Sequence, residues 1–338
     1  TASNNTAFGF RALRVNTTSG HTAVGHRALQ ANTSGNGNNA IGKDSLYSNT
    51  TGSYNIAIGY DALQQNTTAN NNTAIGHDAM KANTTGTENT ALGANALDAN
   101  TTANSNTAIG YVSLSANTTG ASNTAVGTNS LQANTAGGGN TAIGKGALAS
   151  NTTATDCCAV GQDALVANTT GINNVAVGKD ALAANTTTSN NTAIGHHTLK
   201  LSTGGDNNVA VGTYALDENT AGDANVAVGA YSLGENTTAS GNVAVGYTAL
   251  EKNTIGARNV SVGSYSMDAN TEGVDNVAVG YNALTDQTTG GNNTAVGKDA
   301  CKDVTTGYYN TTVGFNSGGS LTTGYINTFI GMYAGDNC

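Results

Sequence analysis

The amino-acid sequence predicts an all-β fold, a parallel β-solenoid (β-roll) in which every repeat forms one coil. Two observations lead there: a motif that recurs at a fixed interval, and a composition unsuited to ordinary globular domains. The chain has 338 residues, of which 45 are Gly, none is Pro or Trp and only 10% are charged. Aromatic residues make up 5%. That is too few to fill the cores of the two domains that this length would otherwise suggest.

The repeat has the form N-[T/V]-A-[I/V]-G-x-x-A-L-x-x-N-T-T-G-x-x and runs through the whole chain. Its fixed glycine occurs 20 times with a period of 17, except for the first interval, from Gly9 to Gly25, which is one shorter. A strict interval keeps equivalent side chains in register when each repeat closes one coil. Helical repeats are longer, about 33 to 47 residues, and Gly, Asn and Thr are poor helix formers. The sequence therefore predicts 20 coils, each formed by one 17-residue repeat with a short parallel strand.

The three residues before the fixed glycine predict the strand of each coil. Ile or Val precedes the glycine, Ala almost always precedes that residue, and Thr or Val comes first, as in 73–75 and 209–211. Successive strand residues face opposite sides, so the branched residues line one face and Ala lines the other. We expect both faces to be buried. The glycines, for example Gly59, Gly76 and Gly93, are expected to form a structural ladder where the chain bends or coils approach closely.

The second half of each repeat predicts an exposed segment and a turn. Two variable residues follow the glycine and carry most of the charged and aromatic side chains, which indicates a solvent face. Ala or Ser and then Leu come next, and Asn-Thr-Thr-Gly turns the chain because Asn and Gly tolerate left-handed backbone. The Asn row of these turns, which includes Asn66, Asn83 and Asn100, is expected to form a hydrogen-bonded ladder between coils.

No insertion interrupts the repeats, so the sequence offers no linker at which to divide the chain. The chain is divided instead into regular and atypical repeats. Residues 1–300 hold the regular repeats, and residues 301–338 hold atypical ones in which Cys301, Gly318 and Gly335 replace Leu. Aromatic residues accumulate in this last segment. Because terminal coils have to cap the stack, we predict a cap or a junction here, in preference to an aromatic ligand site.

The pentapeptides N-T-A-I-G and N-V-A-V-G resemble the head repeats of YadA-like trimeric autotransporter adhesins, whose pattern is N-S-V-A-I-G. The longer unit with A-L-x-x-N-T-T-G is similar to repeats of tail-fibre-type proteins of bacteria and viruses. The resemblance covers all 338 residues. It implies a left-handed parallel β-roll that packs as a homotrimer, is displayed outside the cell and binds host or matrix surfaces.

The composition of the coil separately predicts a homo-oligomer. The lumen of a thin coil has room for one row of side chains per strand. Two rows need burial, however: the small Ala and Ser residues, and the larger Ile, Val and Leu residues. If Ala and Ser fill the lumen, another chain has to cover the Ile/Val and Leu rows. If Leu and Ile/Val fill it, the Ala row becomes a flat contact surface. Both arrangements predict self-association, as a trimer or a filament.

Three cysteines are candidate crosslinks. Cys157 and Cys158 replace the Asn and the Thr/Val of their repeat, and Cys338 is the last residue of the sequence. Adjacent cysteines rarely bridge each other, so an interchain disulfide in an oxidising setting is one interpretation of Cys157 and Cys158. The alternative is that they are small buried thiols. Cys301, in the Leu row, is expected in the core.

The Asn-Thr-Thr turns are also N-glycosylation sequons, for example at Asn66, Asn83, Asn100 and Asn168. In a secreted eukaryotic protein they would carry a row of sugars. The alternative, which we prefer, is that this tripeptide is the turn that each coil needs.

No catalytic, cofactor or metal site is predicted. Three of the five His residues share one variable position many coils apart, and a solenoid surface offers no deep pocket. Asp44, Asp61 and Asp78 occupy one exposed position in successive coils, where stacked like charges are destabilising. A net charge of −9 with only 12 Lys and Arg excludes nucleic acid as a partner. No stretch of 18 apolar residues exists, which excludes membrane insertion.

These observations predict a structural protein and not an enzyme. We expect an extracellular or virion fibre or adhesin head, a rigid repeat rod that mediates surface display or attachment. Its expected partners are copies of itself and a host-surface or matrix receptor, and its expected location is extracellular, on a cell surface or on a virion. The alternative is an ice-binding β-solenoid with Thr ladders, although the Thr residues of Asn-Thr-Thr are consecutive in a turn.

Overall fold

A computed structural model describes residues 2–336, and the chain divides into two compact units, Thr1–Thr170 (unit 1) and Gly171–Cys338 (unit 2). The protein is an all-β parallel β-solenoid in which one coil corresponds to one repeat of the sequence, which confirms the predicted fold class. Its described residues form 20 strands of three residues each and no helix. None of them therefore forms a helical segment that could cross a membrane.

Each unit contributes ten of the described strands. Those of unit 1 are β1 (Thr6–Phe8), β2 (Thr22–Val24), β3 (Asn39–Ile41), β4 (Ile56–Ile58), β5 (Thr73–Ile75), β6 (Thr90–Leu92), β7 (Thr107–Ile109), β8 (Thr124–Val126), β9 (Thr141–Ile143) and β10 (Cys158–Val160). Those of unit 2 are β11 (Val175–Val177), β12 (Thr192–Ile194), β13 (Val209–Val211), β14 (Val226–Val228), β15 (Val243–Val245), β16 (Val260–Val262), β17 (Val277–Val279), β18 (Thr294–Val296), β19 (Thr311–Val313) and β20 (Thr328–Ile330).

Within each unit, every strand pairs in parallel with the next strand along the chain. Ala74 lies beside Ala91 in unit 1, and Ala193 lies beside Ala210 in unit 2. The constant period of the sequence therefore aligns equivalent residues, as predicted. The shorter first interval keeps the same alignment, because β1 and β2 pair with Ala7 beside Ala23.

The apolar part of the lumen is filled in most coils by Ala, Ala or Ser, and Leu. In the coil of β4, Ala57, Ala62 and Leu63 are all fully buried, whereas the outer strand residues Ile56 and Ile58 remain partly exposed. This corrects two expectations, since only one strand face is buried and the Leu row shares the lumen with Ala. The physical reason is that Leu63 has a φ of +50°. The chain turns at this left-handed residue, and the Leu side chain fills the space that the small Ala leaves.

The fixed glycines stand where the backbones of neighbouring coils approach closely. A Cβ atom on Gly59, Gly76 or Gly93 would lie 2.3–2.4 Å from the carbonyl oxygen of the glycine in the next coil. Their φ angles lie between +140° and +143°, where only glycine is unstrained. Both the backbone conformation and the available space therefore require glycine in this ladder.

The Asn row of the turns forms a buried ladder. Nδ2 of Asn83 donates to Oδ1 of Asn66 at 2.9 Å and to the Gly86 carbonyl at 2.9 Å, and Nδ2 of Asn100 donates to Oδ1 of Asn83 at 2.8 Å. The donated bonds thus run both along the stack and across the turn of one coil. All of these Asn side chains are fully buried, so the ladder satisfies polar groups that would otherwise be costly inside the coil.

A second Asn row stands just before the strands, and we did not predict its role. Oδ1 of Asn89 accepts the main-chain N–H of Asn106 at 2.9 Å, and Nδ2 of Asn89 donates to the Ala103 carbonyl at 2.9 Å. Hydrogen bonding therefore explains the Asn at the first position of the repeat, because its buried side chain links the strand of one coil to the turn of the next.

The last coils of unit 2 repack their lumen around Phe329. This residue takes the strand position that Ala holds in regular coils, and Gly318 and Gly335 take the Leu position. A Cβ atom would lie 2.7 Å from the Phe329 ring at Gly335 and 3.3 Å from it at Gly318. The large ring therefore uses the volume that Leu fills elsewhere.

Candidate functional site

The outer residues of the strands form an exposed surface in each unit that we call the strand face, defined as the first and third residue of each strand from β1 to β20. These positions hold Thr, Val, Ile, Leu, Phe, Asn or Cys, and none of them is charged. Leu92 is 45% exposed and Ile143 is 41% exposed. A repeated apolar surface without charges is typical of an interaction surface rather than of a face that meets only water.

The candidate crosslinking cysteines lie in different environments. Cys157 is buried, and its main-chain N–H donates to Oδ1 of Asn140 at 3.0 Å. Cys158 is the first residue of β10 and lies half-buried on the strand face. Cys338 lies outside the described residues. Cys301 is buried in the lumen as expected, and burial raises the pKa of its thiol to about 11.

The candidate glycosylation sites Asn66, Asn83, Asn100 and Asn168 are all fully buried. The Nδ2 atom that would carry the sugar is engaged inside the coil, as at Asn66, where it donates to Oδ1 of Asn49 at 2.8 Å. A glycan on this atom would have to replace a ladder hydrogen bond and leave the lumen. The burial favours the role of these residues as turn and ladder residues in the folded chain.

The Asp row at the second variable position is not the exposed row that we expected, because Asp44 and Asp61 are buried. Arg27 donates to both carboxylate oxygens of Asp44 at 2.7 Å, and Nζ of Lys81 lies 3.1 Å from carboxylate oxygens of both Asp61 and Asp78. Their hydrogen bonds to carboxylates raise the pKa values of Arg27 and Lys81. These basic side chains therefore offset part of the stacked negative charge.

Backbone conformation explains why Asp recurs at this position. Asp44, Asp61 and Asp78 have φ angles of +54° to +59°, a left-handed region in which Asp, Asn and Gly are favoured. Among residues 2–336, no group of three or more His, Cys, Asp or Glu is placed to hold a metal ion. The row is thus a consequence of the coil geometry.

The two variable positions produce an aromatic row in unit 2, which the sequence analysis missed. Rings in successive coils contact one another, and the row consists of His196, His197, Tyr214, Tyr231, Tyr247, Tyr265 and Tyr281. From His197 onward, the centroids of neighbouring rings lie 5.2–6.2 Å apart. Lys298 continues the row, since its Nζ lies 5.8 Å from the centroid of Tyr281 and 5.7 Å from that of Phe315.

The position of each Tyr in its repeat sets the orientation of its ring. Tyr214 and Tyr231 both stand two residues after the fixed glycine, at φ angles of +57° and +60°, and their rings stack at 13°. Tyr247 and Tyr281 stand one residue after it, and Tyr265 stands two residues after it. Neighbouring rings from Tyr231 to Tyr281 therefore come from different positions and cross at 76–86°. From Tyr231 to Tyr281 the row alternates between two ring orientations, and rings keep contact in every coil.

An acidic depression adjoins the row between Tyr214 and Tyr231. It has a volume of about 200 Å³, and its other lining residues are Asp217, Glu218, Gly234, Glu235 and Glu251. Gly234 takes the position that Asp217 and Glu251 take in the coils on either side, so the missing side chain creates the depression.

The carboxylates of this depression have few partners. Oδ1 of Asp217 is inaccessible to water and has no hydrogen-bond partner among the described residues. Burial raises the pKa of Asp217, and burial together with the charges of Glu235 and Asp268 raises that of Glu251. None of the four acids that line the depression has an ion-pair partner within 4.0 Å in the described part of the chain. The site can therefore accept hydrogen bonds from a ligand or attract a cation.

Unit 1 has no row of this length at the same two positions within its described residues. Its rings form the pairs Phe10–His26 and Tyr60–His77, with centroids 5.4 and 5.2 Å apart. Tyr111 is 59% exposed and contacts no other ring in the described part of the chain. Unit 1 thus provides an internal comparison for the aromatic row of unit 2.

No protein-family model and no curated protein matches this chain. Its function is therefore argued from the strand face and the aromatic row.

Proposed function

We propose that the chain is the repeat domain of an extracellular fibre or adhesin head that assembles with copies of itself through the strand face. The expected assembly is a trimer, displayed on a cell surface or a virion and attached to a host-surface or matrix receptor. The observation that carries the proposal is the uncharged, partly exposed strand face, which recurs from coil to coil in both units. The resemblance of the repeats to those of trimeric adhesins and tail fibres supports the location.

The periodicity of the strand face favours a second copy of this chain as its partner. Apolar side chains repeat once per coil, with parallel strands about 4.8 Å apart. Another copy has the same repeat, so each coil can meet an equivalent coil over the full length of a unit. A closed symmetric arrangement leaves no strand face uncovered.

The energetic gain of such a contact accumulates with the number of coils. Burial of apolar surface contributes about 25 cal/mol per Å², and the outer strand residues of each described coil add to the buried area. Strands in unit 2 such as β13 to β17 have Val at both outer positions, which gives an uninterrupted apolar surface. The absence of charge from the strand face also avoids the cost of burying unpaired ions.

The experiment that tests the proposal compares two double variants of unit 1 by light scattering coupled to size-exclusion chromatography. Leu92→Asp with Ile143→Asp places two charges on the strand face. Thr85→Asp with Thr119→Asp places the same charges on exposed turn residues of the same unit. We expect the wild type and the turn variant to have about three times the chain mass of 33.5 kDa, and the face variant to be a monomer with unchanged circular dichroism. A folded wild-type monomer at micromolar concentration would refute the proposal.

Ice binding is a second candidate, and one observation favours it. The strands β5 to β9 all begin with an outward Thr, which gives a ladder on the strand face at Thr73, Thr90, Thr107, Thr124 and Thr141. The first Thr of each turn is less suitable, since the hydroxyl of Thr67, for example, donates to the Thr84 carbonyl at 3.1 Å. Thermal hysteresis shown by a monomer with a free strand face would favour this function over assembly.

A further inference from the structure

We propose that the aromatic row of unit 2 and the acidic depression beside it bind a linear polysaccharide built from uncharged or amine-bearing sugars. This inference deepens the proposed function, because it names the receptor class of the adhesin. The juxtaposition that carries it is a run of contacting, exposed rings with carboxylates along one side that have no ion-pair partner within 4.0 Å among the described residues.

The rings offer a regular platform for sugar rings. Tyr247 is 46% exposed and Tyr281 is 47% exposed, so a large part of each ring is available to a ligand. Aromatic rings pack against the apolar C–H faces of pyranose sugars, and they lose little conformational entropy when they do so. Neighbouring centroids from Tyr231 to Tyr281 lie 5.5–6.2 Å apart. This spacing is close to the length of one pyranose unit in an extended chain. Because neighbouring rings cross at 76–86°, successive sugars can meet a ring face and a ring edge in turn.

The shape of the site favours a polymer over a small ligand. Pockets that enclose small molecules have volumes of about 300–1,000 Å³, whereas the depression between Tyr214 and Tyr231 has about 200 Å³. A ligand held in so shallow a depression needs further contacts outside it. The aromatic row provides them in one direction, along the coils of unit 2.

The charges of the site select the kind of sugar. Asp217, Glu218, Glu235 and Glu251 surround the space left by Gly234. Carboxylates accept hydrogen bonds from sugar hydroxyls and attract protonated amines, and charge-assisted hydrogen bonds are about twice as strong as neutral ones. Sulfated sugars and uronic acids are repelled. An amine-bearing polymer is therefore expected to bind more tightly than a neutral one, and an acidic polymer is expected not to bind.

A cationic peptide is the alternative ligand for the same carboxylates. The aromatic row argues against it, because contacting rings in every coil from Tyr214 to Tyr281 suit a ligand with a short, regular repeat. Binding of a polycation would also depend on the carboxylates alone. Removal of rings therefore separates the two ligands.

Calorimetric titration of the full chain with three hexasaccharides and with hexalysine tests the inference. The hexasaccharides are a β-1,4-linked glucose hexamer, a glucosamine hexamer and a galacturonic acid hexamer. Two substitutions address the site. Tyr231→Ala with Tyr247→Ala removes two rings of the row, and Gly234→Gln fills the depression with a side chain of the kind that neighbouring coils accommodate. Tyr111→Ala is the matched control, since it removes an exposed ring of unit 1 that contacts no other described ring.

We expect the glucose and glucosamine hexamers to bind, the glucosamine hexamer more tightly. Loss of the two rings should weaken both by roughly tenfold or more, by analogy with aromatic stacking in other ligand sites. Gly234→Gln should weaken the glucosamine hexamer most, and Tyr111→Ala should change nothing. Failure of both hexamers to bind at millimolar concentration, or equal binding of the acidic hexamer, would overturn the inference. Sugar binding that does not weaken when the two rings are removed, and that hexalysine matches in affinity, would also overturn the inference.

The oligomeric mass of the same samples separates this inference from the proposed function. If the chain assembles through its strand face but binds none of these sugars, only the polysaccharide inference fails. If a monomer binds them with the expected ring dependence, the inference stands and the assembly fails.

Discussion

Asn83 donates its side-chain Nδ2 to Oδ1 of Asn66, one coil earlier in the chain, at a distance of 2.9 Å. Both side chains are fully buried, and Asn100 continues the ladder by donating to Asn83. The repeat therefore depends on a polar interior as well as on its Ala and Leu rows. Asn83 makes all of its ladder hydrogen bonds only when the coils before and after it are in place, which couples adjacent coils within unit 1.

Replacement of Asn83 by Ala should destabilise unit 1. The substitution removes two hydrogen bonds that Asn83 donates, including the one to Oδ1 of Asn66, and it leaves Nδ2 of Asn100 with the Ala103 carbonyl as its acceptor. An unsatisfied buried group costs about 1–3 kcal/mol. Thr85→Ala, at an exposed position of the same turn, is the control. Urea denaturation followed by circular dichroism measures both free energies of unfolding. Equal values for the two variants would contradict a role for the ladder in stability.

Replacement of Gly212 by Ala should destabilise unit 2 by about 3 kcal/mol, from backbone strain and overpacking together. Its φ is +137°, and a Cβ atom would lie 2.5 Å from the carbonyl oxygen of Gly229. Gly204→Ala is the matched control, because its Cβ atom would be 3.4 Å or more from its neighbours. The control should change the free energy of unfolding by less than about 0.5 kcal/mol. Comparable losses in the two variants would show that space along the glycine ladder is not limiting.

Asp217→Asn should raise the melting temperature at pH 7. Burial raises the pKa of Asp217 in the folded chain above its unfolded value of about 3.9, although Lys200 and His197 oppose this shift. The folded state therefore binds the proton more tightly, and stability falls as pH rises through that window. Removal of the ionisable group relieves this loss, so the gain should disappear below about pH 4. Glu272→Gln, at an exposed position, is the control, and an equal gain there would indicate a general charge effect.

Cys158 reports on coverage of the strand face. In a Cys338→Ser background, we expect N-ethylmaleimide to modify Cys158 slowly in the assembled wild type and rapidly in the Leu92→Asp, Ile143→Asp variant. Cys301 should stay unmodified in both, because it is buried and its thiol pKa is raised to about 11, which keeps it protonated. Mass spectrometry of peptides measures each rate. Rapid modification of Cys158 in wild-type protein would indicate that its strand face is open.

The period alone was sufficient to predict the coil, the strands and the glycine ladder. A fixed interval forces equivalent residues into alignment, so the close approach at Gly76 follows once one coil is known. The inner and outer sides of the coil were harder to predict. Leu63 was difficult to assign to the inner or the outer side because it has a φ of +50°, a conformation that bulky residues rarely adopt. The alternation of side chains along a strand does not apply at such a residue.

The left-handed backbone of the second variable position and the aromatic row both leave a pattern in the sequence. The pattern is visible only when equivalent positions of successive repeats are compared. Asp and Asn recur at the second variable position, which is left-handed, and this preference could have indicated the backbone conformation of Asp61. From Tyr231 to Tyr281 the aromatic row alternates between two positions of the repeat. Each position taken by itself shows scattered Tyr residues, and only the coil geometry brings them into one contacting row.

Cryo-electron microscopy of the native assembly shows directly how many coils meet in cross-section. We expect three coils, in which the strand faces of each unit point towards one another and the aromatic row of unit 2 lies on the outside. A single coil per cross-section, with Leu92 and Ile143 open to solvent, would contradict it.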